Sequence, residues 1–455
     1  MSSEWPLERL GDNCLKIGSG STPTGGKDAY LEHGPFTLIR SQNIYNDGFT
    51  PRGLAFIGEA QAKKLNGVSV ENNDVLLNIT GDSVARVCLA PSRYLPARVN
   101  QHVAIIRPNI QSFDGRYLRY FLASPQQQDL MLGLAAAGAT RPALTKAMIE
   151  NFKIPCPPIQ VQQSIADILS SLDDCIAQLR ETNATLEAIA QAMFKSWFVD
   201  FDPVHAKQQG RAPEGMGEAT AALFPDSFEE SELGLVPMGW NVKSIADVCD
   251  FQNGYAFKSD EMSKSPRDTY KIFKMGNIKK GGGLNRAGTK DYFDIEKSQH
   301  LNRYMLKKGD LLMCMTDMKN NVALLGHTAL MDVDDEFLVN QRVGLLRSRD
   351  VEVANFPFLY ILTNSEFFIE DLRQRANSGV QVNLSTNEIK NTKFILPKKE
   401  IHQKFNEIAE TIQEKIFLHE QEQDALSDIR DTLLPQLISG QLRLPEADAF
   451  LESSH

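Results

Sequence analysis

Nowhere in these 455 residues does an apolar run approach the ~18 residues that a membrane-spanning helix needs. The region around Met1 is polar and acidic, without the basic-then-apolar build of a signal peptide. Both absences predict a soluble, cytoplasmic chain with no membrane contact. The six cysteines (14, 88, 156, 175, 249 and 314) form no C-x-x-C pair and join no histidine at zinc spacing, so reduced, buried thiols are expected. Signatures of catalysis are missing too. Gly18-Ser-Gly-Ser-Thr-Pro23 is glycine-rich but lacks the G-K-[S/T] of a phosphate loop, and Gly281–Gly283 follows no strand-to-helix fingerprint. Asn355-Phe-Pro-Phe358 has the wrong second residue for a methyltransferase Asn-Pro-Pro-Phe box and faces Asp114–Tyr117 in the other half of the chain, so it reads as a helix start. The eight histidines show no H-E-x-x-H spacing. Without a nucleophile, metal set or cofactor loop, the chain is expected to be no enzyme and to bind neither metal nor cofactor itself.

What is present in quantity is repetition. Asn100-Gln-His-Val-Ala-Ile-Ile-Arg107 returns as Asn340-Gln-Arg-Val-Gly-Leu-Leu-Arg347. Trp5, Leu7, Leu10, Asp12 and Cys14 return as Trp240, Val242, Ile245, Asp247 and Cys249, and Arg40-x-x-Asn43-Ile44 as Lys274-x-x-Asn277-Ile278. Asp74–Thr80 matches Asp310–Thr316, Tyr117–Ser124 matches Phe358–Ser365, and Gly138 answers Gly379. The series closes with Ile149-x-Asn151 against Ile389-x-Asn391 and Pro157 against Pro397. Eight segments in one order, at offsets between 234 and 241, identify a duplicated unit.

The net charge of −10 argues against contact with a polyanion until it is read by segment. Residues 1–157 carry +3 and 238–397 carry +2, whereas 158–237 carry −9 and 398–455 carry −6. The acidity lies in the connecting segments, and the repeated domains are mildly basic.

Within each copy, strand-length apolar runs such as Val75–Ile79 and Val103–Ile106 alternate with Gly, Asn and Asp turns, and 117–124 and 358–371 read as helical, which predicts a mixed α/β domain. Ser385-Thr-Asn-Glu388 is a capping box, with Thr145 at the equivalent cap. After Pro157 and Pro397 the period changes to seven. Ile165, Leu172, Leu179, Leu186 and Met193 form one column with Ile168, Cys175 and Ile189 beside it. Phe405, Ile412, His419, Leu426 and Leu433 form the other, with Ile408 and Ile429. No proline or glycine interrupts 162–198 or 403–434, so two long coiled-coil helices are expected. In the order domain, helix, domain, helix, such seams pack only antiparallel. The expectation is therefore a pseudo-two-fold, circular arrangement: domain 1–157, spacer helix 158–200, a Pro/Gly/acid-rich linker 201–237 ordered only in part, domain 238–397, spacer helix 398–440 and a loose tail 441–455.

The polar loops that differ between the copies are the candidates for contact with nucleic acid, because they carry the side chains that read base edges and phosphates. In copy one these are Ser19, Ser21, Thr22, Arg40, Gln42, Asn43, Thr80, Ser83, Arg86, Thr140 and Arg141. In copy two they are Tyr255, Lys258, Lys274, Asn277, Lys279, Lys280, Lys319, Asn320, Asn321, Gln381 and Asn383. Asn100-Gln101 and Asn340-Gln341 precede an apolar strand in both copies and are read as structural. Phe194, Trp197, Phe198 and Phe201 at the end of the first helix, with Leu434 and Leu437 on the second, are the candidate partner-docking residues.

Met193-Phe-Lys-Ser-Trp-Phe-Val-Asp-Phe-Asp-Pro-Val204, Phe224-Pro-Asp-Ser-Phe, Pro237-Met-Gly-Trp240, Leu433-Leu-Pro-Gln-Leu-Ile-Ser-Gly-Gln441 and the helix entries Pro157…Gln163 and Pro397…Gln403 together resemble the specificity subunits of type I restriction–modification systems over nearly the whole chain. The resemblance implies two target recognition domains held apart by two helices, each reading half of a split double-stranded DNA site. It also implies docking of two adenine methyltransferase subunits and of restriction subunits, two in number, with S-adenosylmethionine, ATP and Mg in those partners. A two-headed DNA-binding scaffold acting without a methyltransferase is the alternative. His419 and Glu422 make the middle of the second seam polar, against the family pattern.

Overall fold

Val103–Pro108 and Val343–Ser348, the apolar halves of the repeated phrase, become the second strands of two matching sheets. A computed structural model describes residues 5–137, 142–318, 322–378 and 381–443. It divides into unit 1, Met1–Arg180 with Gln421–His455, and unit 2, Glu181–Glu420.

In unit 1, Cys14–Ser19, Val103–Pro108, Val75–Asn78 and Val87–Leu89 lie side by side in that order, each antiparallel to its neighbour. In unit 2, Cys249–Asn253, Val343–Ser348, Leu311–Cys314 and Thr328–Leu330 repeat the order and sense. Even the register is kept: Val103 faces Asn78 and Ile106 faces Val75, as Val343 faces Cys314 and Leu346 faces Leu311. A second sheet in each unit contains one parallel pair, Phe36–Ile39 beside Ala97–Val99 and Thr269–Phe273 beside Phe337–Val339. A two-stranded ladder closes each domain on itself, Leu7–Arg9 with Lys153–Pro155 and Asn241–Ser244 with Lys393–Leu396.

The repeated phrase is a joint between these layers. The Asn100 side chain accepts from His102 N at 3.2 Å, and the Asn340 side chain from Arg342 N at 3.4 Å, folding the turn that feeds each strand. Gly20 and Gly254 press against that turn, where a Cβ would stand 2.2 Å from the Asn100 or Asn340 carbonyl oxygen, so only glycine fits. At the far end of the phrase, Arg107 forks onto Asp74 at 2.7 and 2.9 Å, and Arg347 onto Asp310 at 2.7 and 2.7 Å. Both aspartates are buried and open the neighbouring strand. These charge-assisted bonds raise the pKa of Arg107 and of Arg347, so the cations are permanent.

Helical segments follow the caps. Asn355 caps Phe356–Asn364, its Oδ1 accepting from Phe358 N at 3.3 Å, and Ser385 and Thr145 cap their short helices as expected. The stretch expected as one helix over 358–371 is two, because Ser365 turns its hydroxyl back to Leu362 O at 2.6 Å. Ser124 does the same to Phe121 O at 2.7 Å in unit 1.

The long helices run Ile159–Phe198 and Lys399–Ser439, each about 60 Å at ~1.5 Å per residue. The second agrees with the expected 398–440 and passes through Pro435. The carbonyl that loses its donor belongs to exposed Asp431, where water can replace the bond. Within unit 2 the helices run antiparallel: Asn183 meets His419, whereas Phe194 and Phe198, further along the first helix, meet Phe405, earlier in the second. The expected heptad columns face inward, but their companions are corrected. Leu169, Ile176 and Ala190 are buried, whereas Cys175 and Ile189 are exposed. Ala409 and Ile416 likewise replace Ile408, which is exposed. The companions sit four residues after the main column rather than three, so the buried stripe runs 165, 169, 172, 176.

Residues 201–237, expected to be ordered only in part, are structured. Phe201 takes φ +54° and turns the chain into helix Asp202–Gln208; helix Glu218–Leu223 and the hairpin Phe228–Ser231/Gly234–Pro237 follow. Val204 and Phe224 join the core of unit 2 and Val236 is buried as well, and their burial orders a segment whose composition reads as a linker. The matched Gly138 and Gly379, and the tail from 444, lie outside the described residues.

Candidate nucleic-acid interface

In unit 1 the strand ends at Ser19 and the turn at Asn100 bring four expected or adjacent side chains into one line, with Thr22 and Gln101 exposed and His102 and Thr80 half-buried. The Thr22 hydroxyl donates to Gln101 Oε1 at 2.6 Å, the Gln101 amide meets His102 Nε2 at 2.9 Å, and His102 Nδ1 meets Thr80 Oγ1 at 2.6 Å. With the amide donating, Nε2 accepts and Nδ1 carries the proton, which makes the strip a neutral run of hydroxyl, amide and imidazole. Ser21 joins through its backbone N to Val99 O at 3.2 Å, and Ser19 pairs with Ala104 at the sheet edge. Ser83 closes a short turn, accepting from Arg86 N at 3.2 Å, and the Arg86 guanidinium lies 4.6 Å over the Tyr45 ring.

A second loop lies beside this strip. Arg40 and Gln42 both donate to Gly53 O, and Arg40 covers the Tyr30 ring at 5.2 Å. Asn43 is fully buried: its Oδ1 accepts from Arg40 N at 3.1 Å and its amide donates to Thr50 O at 3.0 Å. Asn277 repeats this arrangement, accepting from Lys274 N at 2.8 Å and donating to Thr289 Oγ1 at 2.8 Å. Both asparagines hold their loops in shape and offer no exposed edge.

In unit 2 the equivalent ground is a groove lined by Lys274, Asn285, Lys290, Asn340, Gln341 and Arg342, with Phe257 and Met262 in its wall. Asp291 enters it and takes hydrogen bonds from Lys264 and Lys274, which hold its carboxyl below the usual range. That leaves Lys290 and Arg342, both exposed, without an ion-pair partner among the described residues. Tyr255 packs on Phe257, His300 and Tyr304 with ring centroids 5.0, 5.9 and 5.4 Å away. Lys258 is exposed, 3.9 Å from Glu261, and Lys280 is exposed. Lys279 points elsewhere, 3.2 Å from Glu420 on the second long helix. Asn383 accepts from Thr316 Oγ1 at 2.9 Å. Thr140, Arg141, Lys319, Asn320 and Asn321 lie outside the described residues, as does the Gln381 side chain.

Gln101, His102, Gln341, Arg342 and Lys290 were not among the expected contacts. Asn100-Gln101 and Asn340-Gln341 are expected to be structural; Asn100 and Asn340 fold the turn, and Gln101 bonds Thr22 and His102 while its side chain stays exposed.

Five of the six expected docking residues are buried within the chain, and Phe201 is half-buried. Phe194, Trp197 and Phe198 are buried in unit 2 against Phe358, Phe405, Phe224 and Trp240, at ring centroids of 5.0 to 6.0 Å. Phe201 meets Trp240 edge to face at 5.8 Å, and Leu434 and Leu437 are buried in the core of unit 1.

Burial pushes the thiols of Cys14, Cys88, Cys249 and Cys314 up to about 12, which keeps them protonated; Cys175, expected to be buried, is exposed. Among the described residues no group of three His, Cys, Asp or Glu is placed to hold a metal, and no helix is long and apolar enough to cross a membrane.

The model of the type I restriction modification DNA specificity domain matches residues 2–188 and again 237–427. The MjaIX specificity subunit of Methanocaldococcus jannaschii is 24% identical over 451 residues, covering 97% of this chain and 94% of that one. The HindI specificity subunit of Haemophilus influenzae is 25% identical over 486 residues, covering 97% and 100%. The crystal structure of a type I restriction–modification S subunit from M. genitalium shares the fold, with a TM-score of 0.54, 16% identity and 96% of each chain covered. With two copies of one DNA specificity domain joined by long helices, the chain belongs to the specificity subunits of type I restriction–modification systems.

Proposed function

We propose that this chain reads a bipartite, asymmetric DNA site with a fixed non-specific gap, and that it docks two methyltransferase subunits and two restriction subunits that carry the chemistry. The observation that carries the reading is one frame presenting two different surfaces. The turn after Asn100 exposes Gln101 beside the half-buried His102 in a neutral strip, and the turn after Asn340 exposes Gln341 and Arg342 in a basic groove. Amides suit adenine edges and arginine suits guanine, so the two halves of the site differ in sequence. Each base pair contributes only ~1–3 kcal/mol of discrimination, and two domains on one spacer multiply it. Half-site centres lie about one helical turn apart, ~10 bp, leaving a gap of roughly 5–8 bp. S-adenosylmethionine, ATP and Mg act in the partner subunits, and this chain itself neither methylates nor cuts.

Co-expression with the partner methyltransferase, followed by mapping of N6-methyladenine across a host genome, tests this. One split motif is expected. Exchanging residues 1–157 for another member's domain changes one half of the motif and leaves the gap; inserting four residues near Thr182, ~6 Å of helix, lengthens the gap by one or two base pairs. An insertion that altered the bases read, or methylation by the isolated chain, would refute the reading.

A further inference from the structure

The first long helix is a poor neighbour for DNA. Over Ile159–Phe198 it carries Asp167, Asp173, Asp174, Glu181 and Glu187, and its only basic residues are Arg180 and Lys195. Lys195 is paired with Asp200. Arg180, in unit 1, faces a polar cleft that opens beside the Arg40–Asn43 loop and is lined by Gln42, Thr50, Gly53 and Arg52 as well. Its nearest carboxylate is Asp47, 3.5 Å away, and both side chains are more than half exposed, 55% and 62%. An ion pair that long and that wet holds neither partner firmly. The Arg52 guanidinium is exposed and has no hydrogen-bond partner among the described residues. Two arginines thus share a cleft containing one carboxylate, and the loop wall is fixed from behind by the buried amide of Asn43.

The geometry points to a phosphate-binding cleft formed by Arg52 and Arg180, in which the spacer helix itself holds the backbone of duplex DNA next to the first half-site. This rests on the reading that unit 1 faces DNA, and it adds a contact that carries no sequence information. Arg180 then does what the rest of the acidic helix cannot: it lets the duplex approach the spacer at one place, which fixes where the gap begins.

The test uses the full chain, with the co-expressed methyltransferase, on a duplex carrying the mapped motif and on one with both half-sites scrambled. Arg180→Ala and Arg52→Ala are each expected to flatten the slope of log affinity against log salt by ~0.9, making the fall in affinity between 50 and 200 mM salt ~3-fold smaller. Both duplexes weaken by the same factor, so the preference for the motif is kept, and Arg180→Lys retains the slope. Asp47→Ala separates this from a structural role: it frees Arg180 and leaves binding equal or tighter. If Asp47→Ala weakened binding as Arg180→Ala does, or if the slope did not change in Arg180→Ala, the cleft would not be a phosphate site. A wild-type protein that failed to prefer the motif would instead overturn the recognition reading, and the slope on scrambled duplex would still decide the cleft.

Discussion

In unit 1 the first long helix enters beside Gln162, fully buried, which accepts from Asp114 N at 3.0 Å and donates to Ser112 O and Pro157 O at 2.8 and 2.9 Å. At the matching place in unit 2 stands His402, equally buried, with its ring 5.0 Å from that of Phe358. The helix exits differ in the same way. Unit 2 closes on Phe194, Trp197 and Phe198 among other rings, and unit 1 closes on Leu433, Leu434, Leu437 and Ile438. Strand register, the Asn turn and the Arg–Asp fork are common to both units, so the difference teaches which features the fold demands and which it accepts in several chemistries. Backbone-directed joints are copied. Joints that only need volume and a satisfied polar atom are free to diverge.

The exits give the largest expected effect. Phe198→Ala or Trp197→Ala removes a ring from a cluster that cannot collapse and should cost unit 2 about 3–5 kcal/mol. Leu437→Ala in unit 1 falls in the wider aliphatic range of about 2–5 kcal/mol, toward its lower end where the neighbouring Leu433 and Ile438 can relax. Urea titration checks this, with hydrogen exchange assigning the loss to one unit. A full-stability Phe198→Ala protein that only lost its methyltransferase would return these rings to the docking role their sequence suggests.

The sequence showed the duplication, the strand positions and the helix starts because each rests on local chemistry: an asparagine turn, a cap, a column of apolar residues. It misplaced the companion column of the seam because Ile168 and Ile189 are apolar and Asn183 is not, while geometry puts Asn183 inside and Ile189 out. It missed the order in 201–237, where the apolar residues are few and out of helical or strand period, and Phe224 finds its role only against Trp197 and Trp240. At the interface, loops could be found by their variability. The exposed edge could not, since Asn43 and Gln42 look alike in sequence and only one of them faces water.

The helix entries give the next effect. Burial pushes the imidazole of His402 down to about 4, with Glu352 opposing weakly. An unfolded histidine takes up its proton near the ordinary ~6.5, so between those values the unfolded state binds more protons than the folded one, and stability falls as pH falls. Unit 2 should lose up to roughly 3 kcal/mol across that window, and His402→Gln, which copies unit 1, should abolish the loss. Fluorescence of Trp197 and Trp240, both in the unit 2 core, reads this during urea unfolding at pH 7 and near pH 4. An unchanged pH dependence in His402→Gln would place the acid sensitivity elsewhere.

The smallest effect lies in the seam itself. Unit 1 lines it with Ile165, Leu169, Leu172 and Ile176 against Leu426, Leu433 and Leu437. Unit 2 interrupts it with Asn183, whose Oδ1 meets His419 Nδ1 at 2.7 Å and whose amide donates to Ile416 O at 3.3 Å. A buried polar pair of this kind contributes little net stability, but one member left alone pays its full desolvation. Asn183→Leu or His419→Leu alone should therefore cost about 1–3 kcal/mol, and the double substitution should be close to neutral, a coupling that a double-mutant cycle measures. What the double variant should lose is register, because a single polar layer is what makes one alignment of two apolar stripes better than the next. Cysteine pairs introduced one heptad out of register across Asn183 and His419 would then crosslink in the double variant and not in the wild type. Equal crosslinking in both would mean that the domains, not the polar layer, set the alignment of the helices.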